Sequence, residues 1–393
     1  MARALEWRDH VSPESRAVLL VHAGSLAWCS GAYAEAIALS TEGLHLSRQF
    51  GDQFRVGIAL RTLGKTYWYQ GDLAQSQAHL EESLNVCRAA GDDWGYADAC
   101  TYLALVAHNQ RDYDWRDALF AESIALYRSC GDNAGVAEAL NKMATFVAEH
   151  GDYSQVFAWY EEALALYRAL GDRTGIGHVL HRLGDIAHDQ GELDRARDLF
   201  NECLAIFREI GDTTRYADAL IGFGDVVFKQ GDLALAERLF TESQSMYEER
   251  RDGVGSAWPT RGLARVARAR GDLARSWNLF EESLTWARVH GNPWGLAVCI
   301  EGLAGALSAL GQPQLAARLF GAACAFRDAN RLVYILGSLP DYERDLAETR
   351  SRLGDAAFEA AFEAGRVVSI EHAITEAVRE QGTGNRKQET GNR

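Results

Sequence analysis

A turn residue every forty positions constrains this 393-residue chain more than any other feature. The first series of marks is Gly31, Gly71, Arg111, Gly151, Gly191, Gly231, Gly271 and Gly311. A second falls twenty residues later in each interval, at Gly51-Asp52, Gly91-Asp92, Gly131-Asp132, Gly171-Asp172, Gly211-Asp212, Arg251-Asp252 and Gly291-Asn292. The segments between marks are about seventeen residues long, enough for four to five helical turns. Glycine adopts the left-handed conformation that ends a helix, and Asp or Asn caps the next one. A period held this strictly is the mark of a solenoid, in which each unit packs only on its neighbours.

The segments read as helices. In 177–190 the apolar Val179, Leu180, Leu183 and Ile186 recur at three- and four-residue steps, as Phe200, Leu204 and Phe207 do in the following segment. No run alternates with period two. Gly24, Gly64, Gly184 and Gly224 share a column with Ala104, Ala144, Ala264 and Ala304, where a bulky side chain would splay a helical pair. The pattern predicts an all-α fold of about eight helical hairpins over 13–330. Ser12-Pro13-Glu14 opens the first helix with a capping Ser and a Pro at its first turn. Pro259 inside the first helix of repeat seven predicts a kink or a late start there. Residues 1–12 read as a remnant of an earlier helix and 331–379 as a terminal cap, divided at Gly365. The polar 380–393 reads as disordered.

Here the chain resembles the tetratricopeptide repeat (TPR) family. The residues that carry the likeness are Leu63-Gly64-x-x-Tyr67-x-x-x-Gly71-Asp72, Leu183-Gly184 with Gly191-Glu192, and Phe223-Gly224 with Gly231-Asp232. Ala196 with Phe200 and Ala236 with Phe240 match in second helices. The repeat is forty residues rather than thirty-four and lacks a closing Pro; length alone would suit HEAT or armadillo units. The resemblance implies a right-handed superhelical solenoid with a C-terminal helical cap. The stretch AARLFGAA at 316–323, Leu353-Gly354-Asp355-x₂-Phe358 and Glu363-Ala364-Gly365-Arg366-x₂-Ser369-x-Glu371-x-Ala373 resemble the end of bacterial signal-transduction ATPases and of LuxR- or MalT-like transcriptional regulators. In those proteins a TPR array senses a ligand or partner. The chain itself contains no G-x₄-G-K-[ST] phosphate loop.

A formal charge of −15 argues against general nucleic-acid binding, which needs a basic field. Apolar runs are too short to span a membrane, and the N-terminus is not a signal peptide. Seven cysteines without paired spacing fit reduced thiols, so the expected location is the cytoplasm. No cofactor is implied.

What the resemblance implies for a site follows column by column. In TPR proteins, residues of each first helix line a concave groove; here the columns lie thirteen, ten, six and three residues before each turn glycine. They contain Arg61, Lys65 and Trp68 in repeat two, His108 in repeat three, and Asn141 in repeat four. Repeat five adds His178, His181, Asp185 and His188, repeat six Asp225, and repeat seven Arg261, Arg265 and Arg268. Tyr102, with Trp68 and Tyr69, supplies apolar anchors of the kind that dominate binding energy. The histidine stripe can be read as a metal site for an enzyme, as a pH- or anion-responsive patch, or as a solvated helix face. The arginine stripe reads as a clamp for carboxylate or phosphate, or as a face paired with Asp225 and its neighbours. Glu42, Glu82, Glu122, Glu162, Glu202, Glu242 and Glu282, with Arg48, Arg88, Arg128, Arg168, Arg208 and Arg288, recur once per repeat, as stacking needs and catalysis does not. The expected function is non-enzymatic binding of a protein or peptide segment, or a small effector, on behalf of a signalling NTPase or regulator.

Overall fold

The computed structural model describes residues 11–148, 153–250, 253–330, 332 and 339–391. The N-terminal remnant expected over 1–12 therefore lies almost wholly outside the described residues. Nineteen helices follow in order among them. Eight hairpins pair a first, odd-numbered helix with a second, even-numbered one. These are α1 (Pro13–Cys29) with α2 (Tyr33–Gln49), α3 (Gln53–Tyr69) with α4 (Leu73–Ala90), α5 (Asp93–Asn109) with α6 (Tyr113–Ser129), and α7 (Asn133–Ala148) with α8 (Tyr153–Leu170). Then come α9 (Arg173–Asp189) with α10 (Leu193–Ile210), α11 (Thr213–Lys229) with α12 (Leu233–Glu249), α13 (Gly253–Ala269) with α14 (Leu273–Val289), and α15 (Pro293–Ala309) with α16 (Pro313–Asn330). Three more close the chain: α17 (Leu339–Leu353), α18 (Asp355–Arg366) and α19 (Ile370–Gly391).

The punctuation acts as its chemistry dictates. Each described mark has positive φ, including Arg111 at 63°, which adopts the left-handed turn without glycine's freedom. The Asp after the turn caps the next helix: Asp52 accepts from the Arg55 amide at 3.0 Å, and Asp92 from that of Gly95 at 2.8 Å. The small-residue column is where hairpin partners close up. A Cβ at Gly24 would run into Ser40, at Gly64 into Leu80, and at Gly224 into Phe240. α13 begins at Gly253, so the helix does not wait for Pro259.

The helices form two compact units, one reaching Asp172 and the other beginning, among described residues, at Arg173. Within each, successive helices up to α18 pack on one another, α19 packs on α16, and successive first helices also touch. First helices thus form the inner layer of each unit and second helices the outer. The cores are built by residues such as Leu60, Leu103 and Phe120 in the first unit and Phe200, Phe240 and Phe280 in the second, all almost fully buried.

The end of the chain departs from the expected division. Gly354, at φ 77°, adds an unexpected break between α17 and α18, while the expected one falls just after Gly365, where α18 ends at Arg366. The missing side chain of Gly365 lets α18 press its backbone against that of α16, since a Cβ there would overlap the Arg318 carbonyl. The Ser369 hydroxyl accepts from the His372 amide as α19 opens, and that helix continues to Gly391, past residue 379. No helix among the described residues is long and apolar enough to cross a membrane. All seven cysteines are free thiols.

Candidate functional site

Helices α1, α3, α5 and α7 build the inner face of the first unit, and rings dominate it. Tyr102, only 1% exposed, sits at the centre. Trp28 and Trp68 approach it edge-on, with ring centroids 6.1 and 6.5 Å away, and Trp68 meets Phe146 at 6.5 Å. Two cations lie over this ring: Lys65 Nζ is 4.6 Å and Lys142 Nζ 5.2 Å from its centroid, with Lys65 also 5.0 Å from that of Trp28. Ammonium groups over aromatic faces are attracted by the ring quadrupole. Asp98 pairs with Lys65 at 2.6 Å. Burial, reinforced by Glu138 and Asp98, raises the Tyr102 pKa far above its ordinary value and keeps the phenol neutral. The indole N–H groups of Trp28 and Trp68 are buried without a hydrogen-bond acceptor, which is costly in a finished interior.

Of the other expected residues here, Arg61 is buried between Asp92 and Asp98, 3.3 Å from each, and ties helices together. It lies beneath the surface because Gly95 leaves room for its guanidinium. His108 packs on Phe146 at 4.8 Å and approaches Arg116 at 3.3 Å. Asn141 hydrogen-bonds Tyr167. Lys142 and Phe146 were missed because they stand one position beyond the columns used, where a helix face broader than one stripe still looks inward.

Helices α9, α11, α13 and α15 build the inner face of the second unit, and it is ionic. His181 is almost covered, edge-on to Phe200 at 5.8 Å, and burial, aided by Arg182, drives its pKa down to about 3. Burial also raises Asp185 to about 6, against the pull of Arg182. His188 is buried with Nδ1 3.3 Å from Asp189, and His178 is half-buried nearer the start of α9. The stripe is therefore not a solvated face. Among the described residues no three His, Cys, Asp or Glu side chains are placed to hold a metal together, so the metal-enzyme reading gains no support.

The arginine stripe carries the densest network. Asp225 on α11 sits against Arg265, with Arg261 at 3.7 Å. Arg265 also stacks on Phe228, 4.4 Å from its centroid. Its other arm reaches Asp341 on α17 at 2.6 Å, and Arg268 reaches Asp345, one turn further along α17, at 2.5 Å. Burial alone would raise both Asp225 and Asp341. The guanidiniums outweigh it, holding Asp225 below the usual carboxylate range and bringing Asp341 to about 2. Glu301 on α15 is buried with Arg327 on α16 in a two-armed pair of 2.6 and 2.9 Å. Asp341 and Asp345 were not foreseen. Their only sequence signal is an acidic pair four residues apart, which puts both carboxylates on one helix face as the three-residue step puts Arg265 and Arg268 on another.

On the outer layer, Arg48 pairs with Glu82, and Arg128 with Glu162 at 2.6 Å, one repeat apart. Arg288, which would meet Ala322 in the next repeat, pairs with Glu371 of α19 instead.

Residues 15–89 and 175–249 match the family model for the tetratricopeptide repeat. No curated protein matches the chain. Among solved structures, a Rap protein complexed with Competence and Sporulation Factor superposes with a TM-score of 0.63 at 13% identity, over 93% of this chain and 99% of the other. A STAND signal-transduction ATPase with a tetratricopeptide repeat sensor, from Pyrococcus horikoshii, gives 0.61 at 13% identity; 86% of this chain spans half of that protein. A Rap conjugation gene regulator of plasmid pLS20, in complex with the Phr* peptide, gives 0.53 at 12% identity, over 69% of this chain and 73% of the other. At these identities the likeness is one of fold. Over the two matched blocks the chain contains tetratricopeptide repeats, and the hairpins between and beyond them continue the same arrangement of inner and outer helices.

Proposed function

We propose that the chain is a non-enzymatic binding scaffold, the sensor or regulatory module of a signalling ATPase or transcription regulator. It holds a peptide or protein segment on the inner face of its first helices. One observation carries this reading: the inner face is where the repeat stops repeating. Three residues before each turn glycine stand Trp28, Trp68, His108, Ala148, His188, Phe228, Arg268 and Ser308, whereas the outer Arg column changes little from repeat to repeat. Stacking demands the same chemistry in every unit, and recognition demands different chemistry at each point. The fold relatives add support, since they include a sensor array and complexes with a factor and a peptide. The ring cluster around Tyr102, with two cations and two unpaired indole donors, suits a peptide whose backbone carbonyls and carboxylates accept from those groups.

Affinity capture from host lysate tests this, comparing wild type with Trp68→Ala/Lys142→Glu and with the outer-layer control Arg48→Ala, all shown to be equally helical. A partner retained by wild type and control but lost from the inner-face variant is expected. The same proteins recovered by all three baits would remove the inner face from recognition.

A further inference from the structure

The second unit shows what its arginine stripe binds, because part of the chain already occupies it. α17 has seven charged residues among fifteen, and its attachment to the inner face is largely polar. Asp341 and Asp345 meet Arg265 and Arg268, Arg344 braces both carboxylates at 2.9 and 3.0 Å, and Arg352 donates to the Ser308 carbonyl at 2.5 Å. The Arg268–Asp345 pair passes directly over Gly305 of α15, where a Cβ would overlap both partners. A helix thus lies across the inner face with its acids in register with a row of guanidiniums.

Sealing the end of the array does not account for this helix. α18 and α19 provide the apolar cover: Phe358 and Ala361 pack on Ala317, while Ala373, Ile374 and Ala377 complete the core around Phe320. α18 also makes the close backbone approach to α16 through Gly321 and Gly365. α17 adds no fully buried apolar side chain to these clusters, only the half-buried Tyr342, Leu346 and Leu353 at their edges. Buried guanidiniums left without counter-charges are strongly unfavourable, so whatever replaces α17 must bring carboxylates of its own.

We propose that this groove is a binding site for an acidic helical segment of a partner protein, with carboxylates four residues apart, and that α17 is its exchangeable built-in occupant. The proposal rests on the inner-face reading above and supplies its ligand class. The partner's carboxylates take the places of Asp341 and Asp345 on Arg265 and Arg268, and α17 is released while α18 and α19 keep the array sealed. One nitrogen of Arg265 on Asp341 and one of Arg268 on Asp345 set the register, so a segment with its acids four residues apart on one face fits both.

Hydrogen exchange on the full chain tests this, with a synthetic peptide of the α17 sequence, Leu339–Leu353, as probe. Saturating peptide is expected to speed exchange of the chain's own α17 amides at least tenfold and leave those of α18 unchanged. Unaltered α17 exchange overturns the proposal. A peptide with both Asp replaced by Asn is expected to have no effect, and an equal effect overturns recognition by charge. In the Asp341→Asn/Asp345→Asn protein, labelled native-sequence peptide should bind at least tenfold tighter than to wild type; equal affinity again overturns it. If α17 proves fixed while the Trp68→Ala/Lys142→Glu bait still loses its partner, the inner-face reading survives and this proposal does not. Displacement of α17 with an unchanged capture list supports the arginine groove alone.

Discussion

The two units display their inner faces from helices of one register, yet the first presents rings and the second presents ions. In the first, Trp28, Trp68, Tyr102 and Phe146 surround a buried phenol, and the two lysines are held as much by ring faces as by acids. In the second, Asp225, Arg261, Arg265, Arg268 and the α17 carboxylates form a network in which each group depends on an opposite charge. The difference teaches that the repeat prescribes where a side chain points and leaves open what it is. A ring surface tolerates varied ligands through shape and contact area, whereas a buried charge network accepts only a complementary one.

The largest test of this contrast removes one central group from each unit. Glu301→Gln leaves Arg327 buried without its counter-ion and is expected to cost on the order of 3–5 kcal/mol. Tyr102→Ala removes a buried ring at a similar cost of about 3–5 kcal/mol. Urea titration followed by hydrogen exchange in each unit measures both. Losses spread evenly over the two units, rather than confined to the altered one, would break the comparison.

The second test is pH. His181, held near 3 in the fold against 6.5 when free, stays neutral when folded, so stability is lost as pH falls from about 6.5. Asp185, raised to about 6 from 3.8, binds its proton earlier in the fold, so stability is gained as pH falls from about 6 to 4. The two oppose each other over the same window. His181→Gln should therefore stabilise the second unit more and more as pH falls from 6 to 4, whereas Asp185→Asn should stabilise it near pH 6 and lose that advantage by pH 4. Melting temperatures across that range decide it, and slopes of the same sign in both variants would refute the assignment. Asp341 acts elsewhere: its depressed pKa means α17 docking is lost only as pH falls below about 4 towards 2.

The smallest effect is expected where the units agree. Arg48→Ala removes an exposed inter-repeat pair in the first unit, and Arg208→Ala removes the bond to Tyr216 in the second. Each should cost no more than about 0.5–1 kcal/mol, since partly exposed pairs gain little over water. Unequal costs in a chemical-denaturation series would show that the outer layers also differ.

Much of this was legible in advance. The forty-residue marks located the turns, and the Asp or Asn after most marks located the caps. The Gly and Ala column located the close contacts, because these are local requirements of helix ends and helix pairs. The ring cluster was partly visible through Trp68, Tyr69 and Tyr102. Arg61 was misplaced, since its own helix face does not reveal that the missing side chain of Gly95 opens a pocket beneath it. The break beside Gly365 was legible to within a residue of the end of α18, whereas the one at Gly354 was not foreseen.

The sequence by itself determined the helices, their pairing and which side of each first helix looks inward, because all three follow from a period repeated eight times. Only the tertiary structure decided that Arg265 and Arg268 are held by Asp341 and Asp345, 76 and 77 residues away. α17 stands outside the repeat, so no period aligns it with the array. Where a non-repeating segment lands is settled by which buried charges need partners and where a missing side chain, here that of Gly305, leaves a path to them.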